Sequence, residues 1–140
     1  MNLTNSLLIP ILLIIAFVDF KRHIIYNSTT LVGISVGILL NWKLGLIGAL
    51  TGLVSLYLIG ILGQFIFHSE TLGGGDVKLL AMLGAFLGWK PVLLVFFIAP
   101  IFGIMLGYIL KTKKIPYGVV IVLAAITVIL YGEKLIKFLS

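Results

Sequence analysis

Cysteine is absent from the 140 residues, and only four residues carry a carboxylate: Asp19, Glu70, Asp76 and Glu133. Without a thiol the chain has no disulfide framework, no cysteine nucleophile and no thiolate metal ligand. Charge of either sign is scarce. Charged residues make up 10% of the chain, against about 25% in an average soluble domain. A basic n-region is also missing from Met1-Asn2-Leu3-Thr4-Asn5, and no small-x-small cleavage site follows the first apolar run. Residues 3–18 are therefore expected to be a retained membrane span and not a removed signal peptide. Apolar residues, by contrast, make up 61% of the chain, and its mean hydropathy is +1.30. A soluble fold of this size buries only about two-thirds of its surface and could not hide them. Soluble enzyme, nucleic-acid-binding domain and disordered tail are excluded, and the chain belongs in a bilayer. Its formal charge of +6 comes from bases at the ends of apolar runs, where orientation signals and lipid headgroup contacts belong.

A membrane helix needs about 20 apolar residues, so six helices take about 120 and leave about 20 for loops. The sequence divides that way, into apolar stretches at 3–19, 29–42, 44–67, 76–89, 91–110 and 116–138. The breaks are Lys21-Arg22-His23, Asn41-Trp42-Lys43, the stretch from His68 to Gly75, Lys90-Pro91 and Lys111-Thr112-Lys113-Lys114. The second and fourth stretches are short for a crossing. The expected fold is an all-α integral membrane protein, a bundle of about six transmembrane helices in a single polytopic domain, 1–140. An external N-terminus puts Lys21, Arg22, Lys78, Lys111, Lys113 and Lys114 on one side and Lys43, Lys90, Lys134 and Lys137 on the other. Six bases against four, with the dense cluster at 111–114, assign the first side to the cytoplasm. Trp42 and Trp89 then read as interfacial anchors on the outer face. The pairs Gly33/Gly37, Gly48/Gly52, Gly84/Gly88 and Gly103/Gly107 have the GxxxG spacing that lets helices approach closely in lipid.

Asp19 ends the first apolar run, and Asp76 opens another after Gly73-Gly74-Gly75. A carboxylate inside a span costs roughly 2.5–3.5 kcal/mol at the helix centre and less near an end. Two spans separate these residues, so both return to the same membrane face. Two carboxylates in proximity share a proton and titrate as a unit. One can deprotonate a water while the other polarises a peptide carbonyl. That is aspartic-protease chemistry, and it calls for no metal and no cofactor. The glycine run allows unusual backbone and close approach of an extended peptide. Taken singly, Asp76 also suits a helix N-cap, and Asp19 an interfacial partner for Lys21 or Arg22. A transporter or channel component would instead use both acids for proton or cation coupling near midplane. His23 stands one helical turn from Asp19, but Lys21 and Arg22 beside it disfavour a metal, and His68 has only Glu70 near it. Ser69 and Thr71 have no base at a defined spacing.

The stretch Glu70-Thr-Leu-Gly-Gly-Gly-Asp76-Val-Lys78-Leu-Leu-Ala-Met-Leu-Gly84-Ala-Phe-Leu-Gly88-Trp89 resembles the GxGD region of type IV prepilin peptidases. Asp19-Phe-Lys-Arg-His-Ile-Ile25-Tyr26-Asn27 is similar to that family's first aspartate and its Ile-Pro-Asn segment, and Lys114-Ile-Pro116-Tyr-Gly118 to its later Ile-Pro-Phe-Gly turn. The resemblance implies an aspartic endopeptidase of the inner cell membrane that removes the basic leader of prepilin-like or preflagellin-like precursors at the cytoplasmic face. Asp19 and Asp76 match the catalytic aspartates. Gly73, Gly74, Gly75, Glu70, Lys78 and Asn27 are expected to bind substrate or shape the site. The implied partners are a precursor protein and membrane lipids, with no nucleic acid. Tyr26 replaces a proline, which leaves the loop after Asp19 with one constraint fewer. The methyltransferase insert of long members, with its paired CxxC motifs, has no counterpart, so no N-methylation is expected. The presenilin type of GxGD protease fits less well, since Val18 precedes Asp19 and no Pro-Ala-Leu turn occurs.

Overall fold

Long apolar runs can satisfy their backbone groups in lipid only by coiling into helices or closing into a barrel. The computed structural model describes residues 3–67, 73–111 and 115–139 and shows six helices and no strand among them. They are α1 (Leu3–Arg22), α2 (Asn27–Leu40), α3 (Trp42–Phe67), α4 (Gly74–Leu87), α5 (Trp89–Leu110) and α6 (Tyr117–Leu139). Four of them, α1, α3, α5 and α6, hold apolar windows long enough to cross a membrane. The two 14-residue helices, α2 and α4, reach only about 21 Å, short of a hydrocarbon core of about 30 Å.

Burial inside the bundle, away from lipid, accommodates the shortness of α4. It touches all five other helices, and every residue from Leu79 to Ala85 is buried. The other helices sheathe it and turn apolar side chains outward: Leu39, Phe65, Ile104, Tyr108 and Phe138 are each at least 77% exposed. A greasy exterior around a packed interior is the arrangement of a membrane protein. The hydroxyls of Thr51, Ser55 and Thr127 are satisfied within their own helices, donating to the carbonyls of Ile47, Thr51 and Leu123.

Small residues set the closest helix contact. A Cβ built on Gly48 of α3 would lie 2.7 Å from the carbonyl carbon of Gly84 on α4. The other expected glycine pairs divide. Gly37 and Gly52 also abut α4, whereas Gly103 makes only ordinary contact, 3.7 Å from Val120. A Cβ built on Gly88 would meet nothing within 4 Å, and this glycine serves the backbone instead. It sits at φ +88°, in the left-handed region open to glycine, and turns the chain from α4 into α5.

That turn corrects one expected break. Lys90 and Pro91 do not separate two helices but lie in the first turn of α5, which begins at Trp89. Proline is tolerated there because first-turn amides have no partner within the helix. Likewise Lys21 and Arg22 stay helical, and α1 ends only at His23, whose φ is 53°. Between α2 and α3, only Asn41 is non-helical.

Candidate functional site

The end of α1 builds the first half of the site. His23 takes the left-handed conformation that commonly closes helices, and its amide donates to the Asp19 carbonyl at 2.8 Å. Asp19 is held in the last turn, only 5% exposed. Its carboxylate faces the start of α6, where Val119 N–H donates to Oδ2 at 3.1 Å. First-turn amides point outward with the positive end of the helix dipole, a setting that favours a negative group. Gly118 makes the approach possible, since a Cβ there would lie 2.8 Å from Asp19 Cγ.

The start of α4 builds the second half. Gly73 is the N-cap, and the Asp76 amide donates to its carbonyl at 3.1 Å. The Asp76 carboxylate folds back over Gly73, where a Cβ would stand 3.3 Å from Oδ2. Gly75 faces Ile25 of the linker between α1 and α2, with a Cβ position 3.0 Å from Ile25 Cβ. Gly74 has nothing within 4 Å. Two of the three glycines are therefore close-approach positions, and the middle one faces open space.

These pieces enclose one cavity of about 460 Å³ at a single end of the bundle. Asp19 and Asp76 both line it, with Gly73 and Gly75, and the segments 23–25 and 115–117 complete the wall. Asp19 lies about 4.5 Å along the axis from the end of α1, and Asp76 is the third residue of α4. Both carboxylates therefore sit at helix ends and not at the middle of a span. His23, set aside in the sequence as a metal ligand because Lys21 and Arg22 stand beside it, lines the cavity with the two carboxylates. No group of three His, Asp or Glu residues spaced to hold a metal occurs among the described residues.

Gly74, Asn27 and Lys78 fall outside the cavity wall. Lys78 Nζ donates to Asn27 Oδ1 at 2.8 Å, tying the fifth residue of α4 to the first residue of α2. The pair braces the site from outside and does not line it. Tyr26 also behaves differently from expectation. Its φ is −69°, inside the proline range of about −65 ± 15°. Its hydroxyl accepts from Arg22 at 3.1 Å, and its carbonyl accepts the Thr30 amide at 3.3 Å. The linker is thus restrained without proline. Glu70, His68, Ser69 and Thr71 lie outside the described residues. Sequence reasoning missed Ile25, Tyr117 and the Val119 amide. The only signal for that amide is the glycine before it, because a backbone donor has no residue type of its own.

The sequence profile described as "Type IV leader peptidase family" matches residues 6–108. A prepilin leader peptidase/N-methyltransferase of Myxococcus xanthus is 38% identical over 112 residues, covering 75% of this chain and 32% of that protein. One from Bacillus subtilis is 32% identical over 105 residues, covering 70% and 40%. One from Aeromonas hydrophila is 28% identical over 151 aligned positions, covering 98% and 52%. The chain thus spans about a third to a half of the length of these relatives. No solved structure matches it.

Proposed function

The chain belongs to the type IV leader peptidase family, and on that premise we propose that it is an aspartic endopeptidase that removes the leader of prepilin-like precursors. One observation carries the reading: Asp19 and Asp76, from helices separated by two others, line the same cavity at one end of the bundle. The cavity has room for a peptide backbone and a water. The ionised carboxylate of the pair takes a proton from the water, whose oxygen attacks the scissile carbonyl carbon. The protonated carboxylate donates to the carbonyl oxygen as the tetrahedral adduct forms. When the adduct collapses, one of its two hydroxyls returns a proton to the ionised carboxylate, the C–N bond breaks and the leaving nitrogen takes the proton of the other carboxyl, so that the pair ends with the single proton it began with. Val119 N–H keeps Asp19 oriented, and Gly73 leaves the space that the Asp76 carboxylate occupies.

Carboxylates at helix ends support this chemistry over ion coupling, which would call for acids near midplane. The basic residues Lys21, Arg22, Lys78 and Lys111 at the same end support a cytoplasmic site in the inner membrane, with the N-terminus outside. We read residues 1–140 as one peptidase domain that needs no metal or cofactor. Its substrate is a precursor with a basic leader, and preflagellin-like precursors fall in the same class. Glu70 would offer the leader a charge on that side, and Gly74, Asn27 and Lys78 would shape the site without touching the reaction. With no cysteine, these residues carry no paired CxxC motif and are assigned no N-methylation.

The test is co-expression with a candidate precursor, scored by the gel shift of leader loss. Asp19→Asn and Asp76→Asn should each reduce cleavage by roughly 10²–10⁴-fold or more, with unchanged insertion into membranes. Full cleavage by either variant at matched expression would remove the pair from the mechanism.

A further inference from the structure

We propose that the groove between α1 and α2 holds the apolar stretch of the substrate adjoining the scissile bond, so that the precursor enters the site sideways from the bilayer. The proposal rests on the leader-peptidase reading and adds where the body of the cleaved chain lies.

The first observation is a gap in the sheath. α1 packs on α6 and α4, and α2 packs on α4 and α3. Between α1 and α2 runs an apolar groove of about 360 Å³. Ile11 of α1 forms one wall, Thr29, Val32 and Val36 of α2 the other, and Phe86 of the central helix the floor. Val32 is 63% exposed, so the groove opens toward lipid.

The second observation is continuity. A narrow neck of about 30 Å³ lies between Ile15 and Val18 of α1 and the segment Ile24–Tyr26. The neck shares Thr29 with the groove, and it shares Ile24 and Ile25 with the cavity that holds the two carboxylates. Three hollows therefore lie in series from the depth of the bilayer to Asp19 and Asp76, parted by Thr29, Ile24 and Ile25. One wall of the narrowest hollow is formed by the non-helical residues Ile24–Tyr26, whose side chains can yield more readily than a packed helix.

Scale and chemistry identify the occupant. Ile11 lies eight residues from Asp19 on α1, about 12 Å along the axis. About four extended residues cover that distance. A basic leader cannot occupy the groove, because a charge at that depth costs several kcal/mol. The leader must leave the cavity at the aqueous end, and the chain on the other side of the cut takes the apolar path. A lipid acyl chain would suit the walls, but it gives no reason for a passage to the carboxylates.

Two substrates separate the possibilities: a full precursor with its apolar stretch, and a short peptide that spans the cut and ends two residues beyond it. Val32→Trp fills the groove, while Leu31→Trp adds the same bulk to a neighbouring exposed position outside the groove. Val32→Trp should raise KM for the precursor at least tenfold and leave the short peptide unaffected, and Leu31→Trp should change neither. Equal cleavage of the precursor by Val32→Trp and the unaltered protein overturns the proposal, as does equal slowing of both substrates. A second measurement avoids the bulky substitution. A small diazirine side chain is placed at position 32 in the Asp76→Asn protein, which is then irradiated with the precursor. Cross-linking to the apolar stretch supports the proposal, and cross-linking to lipid alone overturns it. An unaltered protein that cuts neither substrate overturns the leader-peptidase reading itself, which separates that failure from the failure of the groove.

Discussion

Asp19 reaches its partner at the start of α6 only because residue 118 has no side chain. Its Cγ lies 2.8 Å from where a Cβ on Gly118 would stand, closer than two such atoms settle, and the Ile25 Cδ1 is 3.0 Å away on the same side. A methyl group there must push the carboxylate off the Val119 amide or push α6 away from α1. Gly118→Ala should therefore cut the cleavage rate by at least tenfold, because a displacement of about 1 Å at a reacting group costs up to about 10²-fold. Gly103→Ala is the matched control, with its new Cβ at an ordinary 3.7 Å from Val120. Initial rates of leader removal at equal membrane content check both, and a Gly118→Ala protein as active as Gly103→Ala would show that the carboxylate is not held this way. The importance of Asp19 and Asp76 is legible in sequence, since an acid in an apolar run declares its own cost. The role of Gly118 is not, because it depends on a helix 100 residues away from Asp19 folding back against it.

At the scale of elements, α4 shows both what hydropathy reveals and where it stops. The six apolar stretches and their order are readable from the period and length of the runs, and the helix ends fall within a few residues of expectation. That α4 is the buried centre is not readable, because a helix packed in protein and a helix facing lipid can carry the same side chains. Nor is the difference between glycine pairs. The spacing alone treats Gly48/Gly52 and Gly103/Gly107 alike, and by that logic alanine, still small, should be tolerated at position 48. The structure overturns this expectation. A Cβ on Gly48 meets the Gly84 carbonyl carbon at 2.7 Å and the Gly88 carbonyl carbon at 2.9 Å, and a backbone cannot rotate aside as a side chain does. In lipid, where close packing replaces the hydrophobic drive, α3 must then separate from α4. Gly48→Ala should destabilise the protein by about 1–3 kcal/mol, the usual cost of overpacking. It should lower the unfolding midpoint in detergent, while Gly103→Ala leaves that midpoint unchanged or raises it. A Gly48→Ala protein that melts with the unaltered one would mean that α3 and α4 are not in this close contact.

At the scale of the whole molecule, the ends of the bundle differ in charge, and the difference bears on which compartment the site faces. Around the carboxylate cavity stand Lys21, Arg22, Lys78 and Lys111, and at the other end stand Lys43, Lys90, Lys134 and Lys137. The sequence adds Lys113 and Lys114 to the first group, and clustered bases in short loops are retained in the cytoplasm. Two aromatic contacts lie at opposite ends. Lys21 Nζ sits 4.6 Å from the centre of the Phe17 ring, and Lys90 Nζ lies 5.4 Å from that of Trp89, as expected where long basic side chains meet the headgroup region. Because the chain has no cysteine, any thiol introduced into it is its only one, so orientation can be read without removing native residues. In intact cells an impermeant maleimide should modify Asn41→Cys, at the end away from the cavity, and leave Lys21→Cys unmodified until the inner membrane is opened. The reverse pattern would place Asp19 and Asp76 outside the cell membrane, beyond a leader still in the cytoplasm, and would reject the cytoplasmic site. Modification of both thiols in intact cells would mean that the bundle inserts in two orientations, in which case the excess of bases at the cavity end is too small to set the topology alone.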